Sequence, residues 1–145
     1  MIMQIILAFF GSVFPAILFN IDRKKLVWAG LCGALGWTVY LLIFYQTKNP
    51  IPATFIGAIV VGVYSESLAR IIKTPAFGFL IPGIFPLVPG FTAYTTLRFI
   101  VENNFSEALN KGIQTLAVGG SIGFGIMLST AMFKFISRIK KNQIT

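Results

Sequence analysis

Glu66 is the only acidic residue inside a long apolar run of this chain; Asp22, Glu102 and Glu107 fall between such runs. A carboxylate near the middle of a hydrocarbon-spanning helix costs roughly 3 kcal/mol, so a residue of this kind is a functional candidate by default. Glu66 lies in Ser65-Glu66-Ser67, four residues after Gly62 and four before Arg70. On a helix that spacing brings Arg70 within reach. Two readings are open: an interfacial ion pair, or a charge pair used for coupling or gating, with Glu66 taking a proton or a substrate ammonium.

A second cluster does its chemistry with backbone. Four of the seven prolines lie between Pro75 and Pro89, and Pro82, Gly83, Pro86, Pro89 and Gly90 fall within one apolar stretch. Proline lacks an N–H and clashes with a preceding helical carbonyl, so a regular helix through 82–90 is not expected. Non-helical backbone at membrane depth is tolerated only inside protein or against a watery cavity. In transporters such breaks offer carbonyls and helix N-termini to substrate. A helix restarting after Gly90 would aim its first N–H groups at an anion such as a carboxylate. Thr92, Tyr94, Thr95 and Thr96 supply hydroxyls nearby. The plainer alternative is a kink or re-entrant turn with no ligand.

The elements that must position these groups follow from composition. Of 145 residues, 56% are hydrophobic and 11% charged, against about 25% charged in soluble domains. The expectation is one all-α polytopic membrane domain over 1–145. Its spans are expected near 2–21, 26–45, 51–69, 76–101 and 112–136, the fourth broken by the Pro/Gly segment. The first run lacks a positive leader and a clear cleavage site, and is read as a retained span. Continuous runs rather than short alternating ones exclude a membrane β-barrel.

The net charge of +8 does not describe a nucleic-acid face, because the basic residues sit in short clusters between apolar runs. Nine of the twelve, namely Arg23, Lys24, Lys25, Arg70, Lys73, Lys134, Arg138, Lys140 and Lys141, share one side of a five-span topology. The positive-inside rule then places the N-terminus outside and the C-terminus inside a cell membrane. The basic tail would meet anionic lipid.

Small residues recur at four-residue spacing: Ala29 and Gly33, Ala58 and Gly62, Gly119 and Gly123, with Ser121, Gly125 and Ser129 alongside. Such stripes let helix backbones approach closely; lining a pathway is the alternative use. Cys32 reads as a packed small residue. Trp28, Trp37, Tyr40 and Tyr45 read as interfacial anchors, with Trp37 and Tyr40 also placed to line a cavity. Enzyme signatures are missing: the chain has no histidine, no phosphate-binding glycine loop and no paired carboxylates. Neither an enzyme, a metal site nor a cofactor is expected.

Pro75, the run Pro86-Leu87-Val88-Pro89-Gly90, and Ala93-Tyr94 resemble the threonine/serine exporter family, specifically its small membrane subunit. Phe14-Pro15-Ala16, Phe19-Asn20 and Gly33-Ala34-Leu35-Gly36 fit the same pattern. The chain is also similar to the small subunit of the related succinate exporter. The resemblance implies a secondary exporter of small hydrophilic metabolites: threonine or serine, or alternatively a C4-dicarboxylate. It implies a larger membrane partner subunit and an ion gradient, plausibly of protons. A non-transporting membrane scaffold and a self-assembled homo-oligomeric channel are the competing classes.

Overall fold

The computed structural model describes the backbone of residues 1–142 and side chains through Ile139; the Lys140 and Lys141 side chains lie outside the described residues. Among the described residues every regular element is helical. They are α1 (Ile2–Leu18), a 3-10 turn (Arg23–Lys25), α2 (Leu26–Thr47), α3 (Pro50–Ile72), α4 (Phe77–Ile84), a second 3-10 turn (Phe85–Leu87), α5 (Gly90–Val101) and α6 (Phe105–Asn142). The all-α membrane class expected from composition is the one observed.

Three helices are long and apolar enough to cross a bilayer: Arg23–Thr47, Pro50–Ile72 and Phe105–Ile139. The pair Phe77–Leu87 and Gly90–Val101, bent by 52°, adds a fourth crossing if it counts as one span rather than a re-entrant loop. α1 is shorter, at 17 residues. It extends about 26 Å at 1.5 Å per residue, the lower limit for a spanning helix. The helix that carries the last expected span, 112–136, is longer than that span. α6 begins at Phe105, seven residues before Gly112, and runs for 38 residues. That is about 57 Å, well beyond a hydrocarbon core of about 30 Å.

Helix ends are set by local chemistry. Asn49 caps α3 by accepting a hydrogen bond from the Ile51 N–H at 3.0 Å, with Pro50 at the first helical position. There the missing proline N–H removes no intrahelical bond. Four non-glycine residues have left-handed backbone: Asn20, Lys48, Lys73 and Asn103. Each stands where one helix stops and the chain reverses. For lysine that conformation costs roughly 1–2 kcal/mol. Lys48→Gly and Lys73→Gly are therefore expected to raise stability by about 1 kcal/mol each. Reversible unfolding in detergent checks this, and a loss of stability in both variants would contradict it.

The bundle is built on close backbone approach. α1 and α2, then α2 and α3, pack as neighbours in sequence, while α3 packs on α6. Gly62 meets Ser129, and Gly125 meets Phe55 and Ala58, so residue numbers rise together and α3 and α6 run parallel. A Cβ at Gly33 would overlap Ser12, and one at Gly36 would overlap Val61. α4 enters beside them: Gly83 faces Cys32 and Val61, and Leu87 faces Gly36 and Gly57. Small residues therefore bring four helices together at their narrowest point, where contact and packing replace a hydrophobic drive that lipid cannot supply. The half-buried Thr38 and the buried Ser121 and Ser129 bond carbonyls three or four residues back in their own helices, which satisfies them in apolar surroundings.

The small-residue stripe of α6 departs from expectation. Gly125 and Ser129 are packed against α3, but a Cβ at Gly119 or Gly123 would meet nothing within 4 Å. Those two glycines occupy the opposite face of the helix from the contact. α5 pairs with the first half of α6 and buries none of its residues.

Candidate functional site

Pro82 does not break the chain. It lies inside α4, which continues through Gly83 to Ile84; a regular helix through 82–90 is absent, as expected, but the break comes after Ile84. Proline so close to the start of a helix removes a single intrahelical bond, and the freed carbonyl is of the kind that membrane helices satisfy locally. The real interruption is narrower. Phe85–Leu87 tightens into a 3-10 turn, Val88 is extended (φ −62°, ψ 130°), and Pro89 (φ −77°, ψ 54°) precedes the start of α5 at Gly90. No glycine among the described residues has positive φ. Gly90 is thus not required by backbone conformation; it leaves space, since a Cβ there would meet nothing within 4 Å.

That space belongs to a cavity of about 200 Å³ at the break. Its walls include Pro86, Pro89, Gly90 and Thr92 from the interruption, Trp37 and Tyr40 from α2, Pro50 and Thr54 from α3, and Gln114 from α6. No charged side chain lines it. Thr54 is only 1% exposed and makes no side-chain hydrogen bond among the described residues. The Trp37 indole N–H is buried and also without an acceptor. A buried unpaired donor costs about 1–3 kcal/mol, a cost the Trp37 N–H carries here among the described residues. The Trp37 and Tyr40 rings stack with centroids 4.7 Å apart. Trp37 and Pro86 also wall a second cavity of about 270 Å³, which reaches Gln4 on α1.

The hydroxyls after the break are less available than expected. Thr92 donates to the Pro89 carbonyl at 3.0 Å, Thr95 to the Phe91 and Thr92 carbonyls, and Thr96 to the Thr92 carbonyl. Each retains only acceptor capacity for a ligand. Tyr94 is 64% exposed and, like Thr95, does not line the cavity. Pro82 and Gly83 are buried against the core instead. Of the eight residues expected at the substrate, the fold thus gathers Pro86, Pro89, Gly90 and Thr92.

Glu66 and Arg70 stay on one helix but form no ion pair. Arg70 reaches across to α6, donating to the Phe133 carbonyl at 3.0 Å with its guanidinium 4.9 Å from the Phe133 ring. That contact draws the guanidinium away from Glu66. The half-buried Glu66 has neither a hydrogen bond nor an ion pair among the described residues. Ion pairs are found instead at Lys25–Asp22 and Arg98–Glu102.

Thr54 and Gln114 are cavity residues that carried no expectation from the sequence, whereas Trp37 and Tyr40 line the cavity as the alternative to their anchor reading had it. Thr54 had a signal: it extends the four-spaced series Ala58, Gly62, Glu66 toward the start of α3. Trp37 read equally well as an interfacial anchor. Gln114 is one polar residue near a helix start and carried no signal.

The family described as "Threonine/Serine exporter, ThrE" matches residues 4–132. An uncharacterized protein of Haemophilus influenzae is 28% identical over 126 residues, covering 81% of this chain and 42% of that protein. The chain therefore spans less than half the length of this curated relative. No solved structure matches the chain.

Proposed function

The chain belongs to the threonine/serine exporter family, and from that premise we propose that it is the membrane module of a secondary exporter, carrying threonine or serine through the cavity at the α4–α5 break. The observation that supports this most is the pairing of an interrupted helix with an uncharged cavity of about 200 Å³, largely apolar but with Trp37, Thr54, Thr92 and Gln114 on its walls. Drug-sized ligands take roughly 300–1,000 Å³, so this is space for a smaller metabolite. In this reading the substrate carboxylate meets the free N–H groups of the first turn of α5 and the Trp37 indole N–H. The ammonium lies against the Trp37–Tyr40 faces, where a cation is attracted to the ring quadrupole. Thr54 and Gln114 serve the side-chain hydroxyl.

A dicarboxylate such as succinate is the second reading, and the same cavity argues against it. Two negative charges would enter a site with no cationic side chain, and a helix N-terminus offers only about half a charge. The chain is a multi-pass membrane protein; the cytoplasmic membrane, with the N-terminus outside, is the placement that the basic clusters favour. A larger partner subunit completing the transporter agrees with the chain's 42% coverage of its longer relative. The single domain over 1–145 belongs to the same proposal.

The same proposal gives proton coupling to Glu66, the carboxylate that lies inside a long apolar run. Glu66→Gln is expected to leave abundance unchanged and to lower efflux of labelled threonine at least tenfold at an imposed proton gradient. A scaffold would show no difference, and neither would a uniporter. Efflux with and without the larger partner, comparing threonine with succinate, tests the wider reading. Succinate leaving faster than threonine would reverse the substrate assignment.

A further inference from the structure

A second polar cavity lies at the other end of α4, away from the break. It has a volume of about 190 Å³ and is bounded by Asn20, Asp22 and Lys25 from the α1–α2 turn and by Thr74, Pro75 and Gly78 from the α3–α4 turn. Phe77–Leu87 separates the two cavities, roughly 17 Å along its axis at 1.5 Å per residue.

Its rim carries one charge of each sign. The Lys25 ammonium donates to the Asp22 carboxylate at 2.5 Å, and the Asp22 side chain is 71% exposed. The hydrogen bond and the charge of Lys25 hold the Asp22 carboxyl below the usual carboxylate range. Water screens an exposed pair of this kind, which leaves it only weakly held. Deeper in, the Thr74 hydroxyl is buried and has no hydrogen-bond partner among the described residues, although it borders the cavity. Beyond Ile21, Phe77 and Gly78 a smaller apolar chamber of about 170 Å³ continues to Pro82. The two chambers make a polar mouth with an apolar recess.

We propose that this cavity is a second, vestibular binding site for a small zwitterionic amino acid, with Lys25 taking its carboxylate, Asp22 its ammonium and Thr74 hydrogen-bonding within. A zwitterion replaces each half of the ion pair by a group of the same charge and leaves nothing unpaired. A dicarboxylate gains Lys25 but faces the Asp22 carboxylate, and like charges at that range repel. An anionic lipid headgroup meets the same repulsion. The choice of ligand rests on the export reading; the site itself does not.

Cys32 is fully buried, so a thiol introduced at the vestibule is the only readily reactive one. A Cβ at Gly78 would meet nothing within 4 Å, which makes Gly78→Cys a tolerated probe beside Phe77→Cys at an exposed residue of the same wall. Both are made in the full chain and treated, in opened membranes, with a hydrophilic methanethiosulfonate. L-threonine is expected to slow modification at least threefold in both variants, and succinate to leave it unchanged. Adding Asp22→Asn should remove the protection. Equal rates with and without threonine in both variants would overturn the site, whatever efflux does. Protection by succinate equal to that by threonine would overturn its charge matching. Protection without threonine efflux would keep the site and remove the export reading.

Discussion

Gly62→Leu is expected to prevent α3 and α6 from docking, with a loss of stability of at least about 3 kcal/mol and little protein left in the membrane. Any Cβ at Gly62 would overlap the Ser129 side chain, which is fully buried and whose hydroxyl is tied to the Ile126 carbonyl at 2.8 Å. Ser129 cannot swing aside without leaving its own helix, and the Ile126 backbone lies directly behind it. The helices must separate, and the loss extends along the whole seam from Gly125 to Phe133. Gly83→Leu should act similarly, because a Cβ there falls 2.6 Å from the buried Cys32 sulfur. Gly119→Leu is the internal control, with nothing within 4 Å of its Cβ. Membrane abundance and thermal unfolding in detergent separate the three variants. Wild-type abundance and melting for Gly62→Leu would show that the α3–α6 seam is not the one described.

The second large effect is on transport and leaves the fold intact. Gly90 has ordinary backbone geometry and open space where a side chain would go. Gly90→Leu should therefore accumulate normally, fill much of a 200 Å³ cavity, and reduce threonine efflux at least tenfold. Pro89→Ala tests the bend itself. Alanine is about 3 kcal/mol better than proline inside a helix, and at residue 89 it would let the 3-10 turn run into α5. The 52° bend would relax, pairing the N–H groups that the interruption leaves free. Stability should hold or rise while efflux falls. Tyr94→Phe should stay near wild type, since Tyr94 is outside the cavity. Labelled-threonine efflux and abundance are measured in the same cells. Full efflux from Gly90→Leu at normal abundance would take this cavity out of the transport path.

The membrane class, the helical architecture and the existence of an interruption were all legible in the residues. Each depends on one-dimensional properties: a run long enough to cross, the missing N–H of proline, basic residues gathered between runs. Pro86-Leu87-Val88-Pro89-Gly90 likewise pointed to the exporter family before any geometry was known. Where the interruption falls was decided by tertiary context. Pro82 stays helical because α4 is packed against α1, α2 and α3, and neighbours at membrane depth can support a helix that propensity alone would end.

Partnership across helices was the part that spacing could not supply. Glu66 and Arg70 are four apart, yet Arg70 turns to Phe133, 63 residues away, because α6 lies alongside and offers both a carbonyl and a ring. The glycines Gly62 and Gly119 look alike in a four-residue stripe, but one faces a buried serine and the other open space. A stripe says that a face is small; only the rotation and register of the facing helix say whether that smallness is used. The cavity has the same origin. Trp37, Thr54, Pro89 and Gln114 come from four separate segments, and no local pattern links them, since their proximity arises only when parallel α3 and α6 close around the broken pair.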